Sequence, residues 1–365
     1  MSQSFAIAPG IAALKPYSPG KPLSELEREL GIQNAIKLAS NENPLGPSPR
    51  VAEALKDELH ELSRYPDGGG FDLRARLAGR HRIDPAGITL GNGSNDVLDM
   101  IARVFLWPGR EVVISEHAFA VYPISSQAVG ATIRVAPARD YGHDPAAMRA
   151  LVGEETGVVF IANPNNPTGT WLRRDELRDF LDALPAHVIA VVDEAYIEYV
   201  AEPDYPDASA WLDELPNLIV TRTFSKAWGL AGLRIGYALS SPAIAELLNR
   251  VRQPFNVSRL ALLAAEVALE DQAHMREGVR IARDGMAQLV TGLHALGLEV
   301  IPSVGNFVCV DVARDAAAVD QALLREGVIT RPVANYGLPR HLRVTIGLPE
   351  ENARFLAALE KVLSQ

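Results

Sequence analysis

Four polar clusters, each directly after a short apolar run, carry the residue types that can do chemistry. Gly91-Asn-Gly-Ser-Asn95 leads into a helical pattern, and the unpaired N–H groups of Gly93, Ser94 and Asn95 at such a start make an anion site. Asn163-Pro-Asn-Asn-Pro-Thr-Gly169 supplies amides and a hydroxyl in a turn sequence. Asp193-Glu-Ala-Tyr196 offers a carboxylate and a phenol, and Thr223-Phe-Ser-Lys226 offers two hydroxyls and an amine, with the guanidinium of Arg234 eight residues on. Singly, each has a plainer reading: a turn, a helix start, a solvated lysine. Their order and spacing, taken together, raise the functional reading above what any one of them supports.

For these clusters to meet, each must sit at the carboxyl end of a strand in one sheet, where open α/β sheets bind ligands. The alternation of β-rich apolar runs with amphipathic segments predicts seven strands: Ile88–Leu90, Glu111–Ser115, Thr132–Val135, Gly157–Ala162, Val188–Val192, Leu218–Thr221 and Arg234–Leu239. Val97, Leu98, Ile101, Val104 and Phe105 recur at helical spacing after Ser94-Asn-Asp96, with Gly109 as a C-terminal stop. The expected fold class is α/β, a large domain over residues 46–245 with a mostly parallel seven-stranded sheet flanked by helices. After Ser241 the pattern turns to α+β. Helical runs Arg259–Glu270 and Gly278–Leu296 precede strand-like Asn306–Val312, a helix near Ala316–Glu326, strand-like Leu342–Ile346 and a last helix near Glu350–Leu363. These make a smaller C-terminal domain over 246–365. Residues 1–45 are an N-terminal segment expected to pack on the site and the small domain. The Pro-rich Asn43–Pro49 reads as a rigid connection.

The whole chain of 365 residues exceeds the usual limit of one hydrophobic core, in keeping with two domains. A formal net charge of -10 and the lack of any Lys/Arg cluster leave no footprint for nucleic acid, so none is expected as a partner. Phe5–Leu14 lacks a basic flank and is broken by Pro9-Gly10, so it is no signal peptide, and no run reaches transmembrane length. A cytoplasmic protein without membrane contact is the expectation. Cys309, the one cysteine, suits a reducing compartment and reads as a packing residue on an apolar strand. His117 and His143 show no ligand spacing, and no metal is expected.

The chain order Asn-Pro-Thr-Gly, Asp-x-x-Tyr, Ser-Lys, then Arg eight residues later, resembles the fold type I aminotransferases that use pyridoxal phosphate (PLP). Leu14-Lys-Pro-Tyr-Ser-Pro-Gly-Lys-Pro22, Leu38-Ala-Ser-Asn-Glu-Asn-Pro44, Arg64-Tyr-Pro-Asp67, Leu230-Ala-Gly-Leu-Arg-Ile-Gly-Tyr237 and Leu342-Arg-Val-Thr-Ile-Gly347 narrow the likeness. They look like the histidinol-phosphate aminotransferases, over nearly the full chain. The resemblance implies a transferase of histidine biosynthesis that takes L-histidinol phosphate and 2-oxoglutarate to imidazole-acetol phosphate and L-glutamate.

The same resemblance implies the roles. PLP is an electron sink that the protein must hold and orient. Lys226 would hold it as a Schiff base and shuttle the substrate proton. Asp193 would face the ring nitrogen, Tyr196 and Asn166 the ring hydroxyl, and Phe119 would stack on the ring, with a core Phe as the plainer reading. The cofactor phosphate falls to Gly93, Ser94, Asn95, Thr223, Ser225 and Arg234. Tyr65 would complete that cradle from a neighbouring subunit, which implies a homodimer with shared active sites. Arg343 matches the clamp for a substrate carboxylate, and Tyr17 and Arg331 match positions directed at the substrate phosphate. Asn41 and Asn306 would line the site, against the alternative that buried Asn side chains satisfy backbone groups.

Three rival readings stay open at this stage. Aromatic amino-acid aminotransferases share most of these motifs, and threonine-phosphate decarboxylases also bind a phosphate-bearing substrate. Aminotransferase-like domains also sense ligands in transcription regulators, but the segment before the large domain is short and not basic.

Overall fold

The computed structural model describes residues 6–8, 10–17 and 20–365. Phe5, Pro9, Ser18 and Pro19, which belong to motifs read above, lie outside the described residues. In chain order the strands are β1 (Ile36–Lys37), β2 (Ile88–Gly91), β3 (Glu111–Ser115), β4 (Thr132–Ala136), β5 (Thr156–Ala162), β6 (Ile189–Asp193), β7 (Leu218–Thr223), β8 (Gly236–Ser240), β9 (Glu299–Ile301), β10 (Phe307–Asp311), β11 (Val328–Ile329), β12 (Arg331–Val333) and β13 (Leu338–Thr345). The α-helices are α1 (Leu23–Leu30), α2 (Pro49–Glu58), α3 (Phe71–His81), α4 (Ser94–Phe105), α5 (Val121–Ala128), α6 (Pro145–Ala150), α7 (Arg174–Asp182), α8 (Pro242–Val251), α9 (Arg259–Glu270), α10 (Gln272–Ala295), α11 (Ala316–Arg325) and α12 (Pro349–Leu363).

The large sheet is seven-stranded, ordered β2-β8-β7-β6-β5-β3-β4. Strands β3 to β7 pair in parallel, while β8 is antiparallel to both β7 and β2. The central strands β5, β6 and β7 are buried along their whole length, as covered parallel strands must be, and this is why they read as unbroken apolar runs. Because six strands share one direction, the carboxyl ends of β2, β3, β5, β6 and β7 converge on one edge. The reversed β8 begins at that edge, with Gly236 opposite both Gly91 and Thr223.

The four-stranded sheet, ordered β12-β13-β10-β9, is antiparallel throughout. One face packs on α10, α11 and α12 through Leu289, Leu293, Val308, Val310, Leu323, Leu342, Val344, Phe355 and Leu359. Strand alternation then sends Arg343 and Thr345 to the opposite face. The N-terminal segment is tied to this part of the molecule, since β1 pairs in parallel with β11 and Leu38 enters its core.

Several expectations are corrected. Arg234 is not in a strand: it ends a short 3-10 turn in the left-handed region at φ 57, two residues before β8. The Pro-rich stretch is more than a connection, because Ser48 caps α2 by accepting from Arg50 N and Pro49 occupies its first turn. Helix α4 ends at Phe105, so Gly109, at φ 99, shapes the turn into β3 instead of stopping the helix. Helix α10 begins at Gln272, ahead of Gly278, because Asp271 caps it. The apolar core of the large sheet also takes in Val257, Ala261, Leu262, Ala265, Ala268 and Met275. Among the described residues no helix is long and apolar enough to cross a membrane.

Candidate active site

At the edge where the strand ends converge lies a cleft of about 770 Å³, open mouth included. Tyr17, Asn41, Ser94, Asn95, Phe119, Asn166, Asp193, Tyr196, Thr223, Ser225, Lys226, Arg234 and Arg343 line it. Motifs spread over more than three hundred residues therefore meet in one place.

Asp193 closes β6 and is buried. Its Oδ1 accepts from Thr221 Oγ1 and its Oδ2 from Tyr122 OH, each at 2.8 Å. Burial pushes its carboxyl above the usual range, while the two hydroxyls and the Lys226 charge pull it back. One residue on, Glu194 points to the opposite side of the sheet, where Arg222 donates to it from Nε at 3.0 Å and from Nη2 at 2.7 Å. The register pairs Asp193 with Thr221, so the next step brings Glu194 beside Arg222. Burial lifts Glu194 to about 7 despite that guanidinium.

Lys226 reaches into the cleft from the segment after β7 and donates from Nζ to Ser40 O at 2.9 Å. Burial, and then the Arg343 charge, lower its amine to about 7. Near neutral pH a large share of it is unprotonated and nucleophilic, unlike a solvated lysine. Tyr196 OH accepts from Asn41 Nδ2 at 2.9 Å, and burial raises that phenol to about 12.

The anion cradle forms where α4 starts. Gly93 adopts φ 81, a backbone angle that favours glycine, and a Cβ there would meet Arg234 Nη2 at 2.4 Å and displace that guanidinium from the cradle. Gly236 likewise brings β8 against Ser94 N, which a Cβ would meet at 2.4 Å. Arg234, in its strained backbone conformation, donates from Nη1 to Ser225 Oγ at 3.3 Å and to Ala231 O at 3.1 Å. Ser225 N in turn donates to Thr223 Oγ1 at 3.1 Å.

Arg343 lies on β13 and crosses from the small sheet to the cleft, donating to Asn166 Oδ1 and Ala39 O, both at 2.6 Å. Its cross-strand partner is Arg331 on β12. Arg331 lines a neighbouring cleft with Lys15 and Tyr17, its guanidinium 5.7 Å from the Tyr17 ring centre. Tyr17 borders both clefts.

Asn41, at φ 54, is held by Thr345: Asn41 N donates to Thr345 Oγ1 at 2.8 Å. Asn306 lies behind it and donates to Asn41 O at 3.1 Å, outside the lining of the cleft. Tyr65 is also away from this cleft, 79% exposed and stacked on Phe255 at 4.6 Å. Ser40, Tyr122 and Thr221 were not singled out in the sequence. A backbone acceptor and hydroxyls inside a helix and a strand carry no motif. Cys309 is buried in β10, and burial pushes its thiol to about 12, the state of an unreactive packing residue. No cluster of three or more His, Cys, Asp or Glu that could hold a metal occurs among the described residues.

A family model of class I and II aminotransferases matches residues 33–359. Histidinol-phosphate aminotransferase 2 of Pseudomonas aeruginosa is 61% identical over 367 residues, covering 100% of both chains. Histidinol-phosphate aminotransferase 1 of Nitrosococcus oceani is 55% identical over 98% of this chain and 97% of its own. The crystal structure of histidinol-phosphate aminotransferase from Sinorhizobium meliloti in complex with pyridoxal-5'-phosphate matches with a TM-score of 0.90 at 32% identity, over 99% of each chain. Aspartate aminotransferase from Thermus thermophilus with maleate matches with a TM-score of 0.85 at 22% identity, over 98% of this chain and 100% of that one, a likeness of fold.

Proposed function

The chain belongs to the class I and II aminotransferase family, and from that membership we infer an enzyme that uses PLP to transfer the amino group of L-histidinol phosphate to 2-oxoglutarate. The products are imidazole-acetol phosphate and L-glutamate. Relatives at 61% and 55% identity both bear the histidinol-phosphate name, which favours this substrate over aromatic amino acids or threonine phosphate.

The residues present fit the cofactor. An amine lowered to about 7 lies in the same cleft as a buried carboxylate, and a helix start with a close guanidinium forms its rim. Lys226 would hold PLP covalently, and Asp193 would face its ring nitrogen. Asn166 and Tyr196 would meet its ring hydroxyl, and Phe119 one ring face. Ser94, Asn95, Thr223, Ser225, Arg234 and the backbone at Gly93 would take its phosphate. When bound, PLP supplies an electron sink for the charge left as a proton leaves the amino-bearing carbon of the substrate.

The rest belongs to the chain itself. The neutral Lys226 amine takes that proton and returns it at the neighbouring position. The low-lying pKa matters here, since a charged amine cannot accept a proton. Asp193, held by two hydroxyl donors, keeps a negative charge fixed in a buried place, an electrostatic arrangement that needs no reorganisation during the reaction. Arg343 takes a substrate carboxylate or phosphate in place of its bonds to Asn166 and Ala39.

The single observation that carries the phosphate reading is the cross-strand pairing of Arg331 with Arg343. The pairing sets two guanidinium-bearing residues on one face of the small sheet, Arg343 lining the cleft and Arg331 the neighbouring one, and a dianionic phosphate can engage two guanidiniums where a single carboxylate needs one. Tyr17 borders both clefts.

The homodimer reading is supported by the surface around Tyr65. It is aromatic, 79% exposed, and stacked on Phe255, which is itself 45% exposed, with Leu59, Leu62 and Phe71 exposed nearby in sequence. Such a surface calls for a covering partner, and a second copy of the chain would bring Tyr65 to the cradle of the neighbouring site. The direct test is spectral: histidinol phosphate added to PLP-loaded protein should convert the bound cofactor absorbance to the pyridoxamine form in one turnover. Conversion by phenylalanine, with none by histidinol phosphate, would overturn the substrate assignment.

A further inference from the structure

Tyr122 sits in the first turn of α5, with no exposed surface. Its ring lies flat on Phe160, with centroids 4.7 Å apart and planes 3° from parallel, and it meets Phe119 edge-on at 5.7 Å. A phenylalanine would fill this slot as well. The hydroxyl is the part that packing does not explain, and it donates to Asp193 Oδ2 at 2.8 Å. Thr221, on β7 opposite Asp193 in the ladder, donates to the other oxygen at the same distance. A valine would suit that buried strand position equally well for packing, so both polar atoms have one evident use.

We propose that Tyr122 and Thr221 are positioning residues that fix the orientation and charge of the Asp193 carboxylate, and through it the grip of the site on a cationic ring nitrogen. Each carboxylate oxygen spends one lone pair on a hydroxyl, leaving the remaining lone pairs to face the cleft. A buried carboxylate with no donors would be driven towards its neutral form, which has lost the charge that attracts a cation. The other titratable or charged groups facing Asp193 are Tyr196, from the turn after β6, and Lys226, from the segment after β7. Neither is bonded to the carboxylate. The inference rests on the reading above, that Asp193 meets the ring nitrogen of PLP.

The test uses the full-length protein stripped of cofactor and titrated with two probes, PLP and inorganic phosphate. Tyr122→Phe should weaken PLP binding by roughly tenfold while inorganic phosphate, which can engage the cradle or the arginines but not Asp193, binds within about twofold of the parent. The acid limb of the PLP affinity profile should also move up by about one pH unit, since Asp193 protonates more readily with one donor gone. In an Asp193→Asn background the same substitution should cost little more, because its effect passes through the carboxylate. Unchanged PLP affinity and an unmoved acid limb in folded Tyr122→Phe would overturn the proposal, as would a fully additive loss. If Tyr122→Phe does not fold, Thr221→Val carries the same expectations and the same refutation. Failure of the underlying reading looks different: Asp193→Asn itself would then leave PLP affinity intact.

Discussion

The lowered pKa of Lys226 has a consequence for stability that requires no cofactor or substrate. An unfolded lysine titrates at 10.5, and the folded Lys226 at about 7. Between those values the unfolded chain binds the proton and the native protein does not, so stability rises with pH through that window and is lost as pH falls towards 7. At about 1.4 kcal/mol per pH unit, the penalty amounts to about 5 kcal/mol over the whole interval, and to about 2 to 3 kcal/mol between about pH 7.5 and about pH 9.5. Lys226→Met removes the titration while keeping an unbranched apolar chain of similar length. Urea unfolding of the cofactor-free parent and of Lys226→Met, at constant ionic strength and in buffer without phosphate, measures the effect as a difference. The variant should be the more stable near neutral pH, and its lead should shrink by about 2 to 3 kcal/mol across the two pH values. Parallel stability curves would mean that the amine stays charged in the cleft, and the argument for a pre-formed nucleophile would fail.

Arg343→Ala should slow both half-reactions by about 2 to 5 kcal/mol in kcat/KM, whereas Arg331→Ala should cost histidinol phosphate about 2 kcal/mol more than glutamate. Single-turnover spectra with each amino donor read this, and equal losses from Arg331→Ala would remove its link to phosphate. Inactive Tyr65→Ala and inactive Lys226→Ala chains, mixed and allowed to exchange subunits, should regain partial activity, because a hybrid dimer holds one intact site; no gain in mixtures shown by mass spectrometry to contain hybrids refutes the shared site. Arg222→Met should destabilise the protein by about 3 to 5 kcal/mol, because Glu194 is left buried without its ion-pair partner and must either stay charged there or take up a proton, and adding Glu194→Leu should restore most of that in urea melts.

Much of the site was legible because it is local. Asn166, Asp193, Ser225 and Lys226 all fall within a few residues of a strand end, so a strand assignment and a short motif suffice to place them together. The central strands β5 to β7 were clear for the same reason, since burial on both faces demands an unbroken apolar run. Helices α1, α2 and α3 went unassigned because their stretch is rich in Pro, Gly and charged residues, and their helical state depends on tertiary packing, of α2 and α3 against α9 and of Leu26 in α1 against Ala39, Leu324 and Ile329. The sequence places Arg234 at the start of a strand because propensity puts arginine in extended or helical backbone, and nothing in its segment signals a left-handed residue there. The bond from Tyr122 to Asp193 spans 71 residues and joins a helix to a strand, a contact that leaves no mark in either segment. Tyr65 stands apart again: the contact that would give it a role lies in another chain.

The alternation of Asp193 with Glu194, and of Thr221 with Arg222, makes the chemistry of the molecule a matter of register. Sliding β7 by one residue along β6 would leave the ladder hydrogen-bonded and the apolar runs buried, yet would exchange the two faces of the strand. Arg222 would enter the cleft beside two further cations, Lys226 and Arg343, while Glu194 would lie in the interior against a threonine with nothing to neutralise it. The ion pair behind the sheet thus penalises the misaligned form far more than it stabilises the aligned one. A chain that folds at all is thereby held to the one alignment in which Thr221 reaches Asp193.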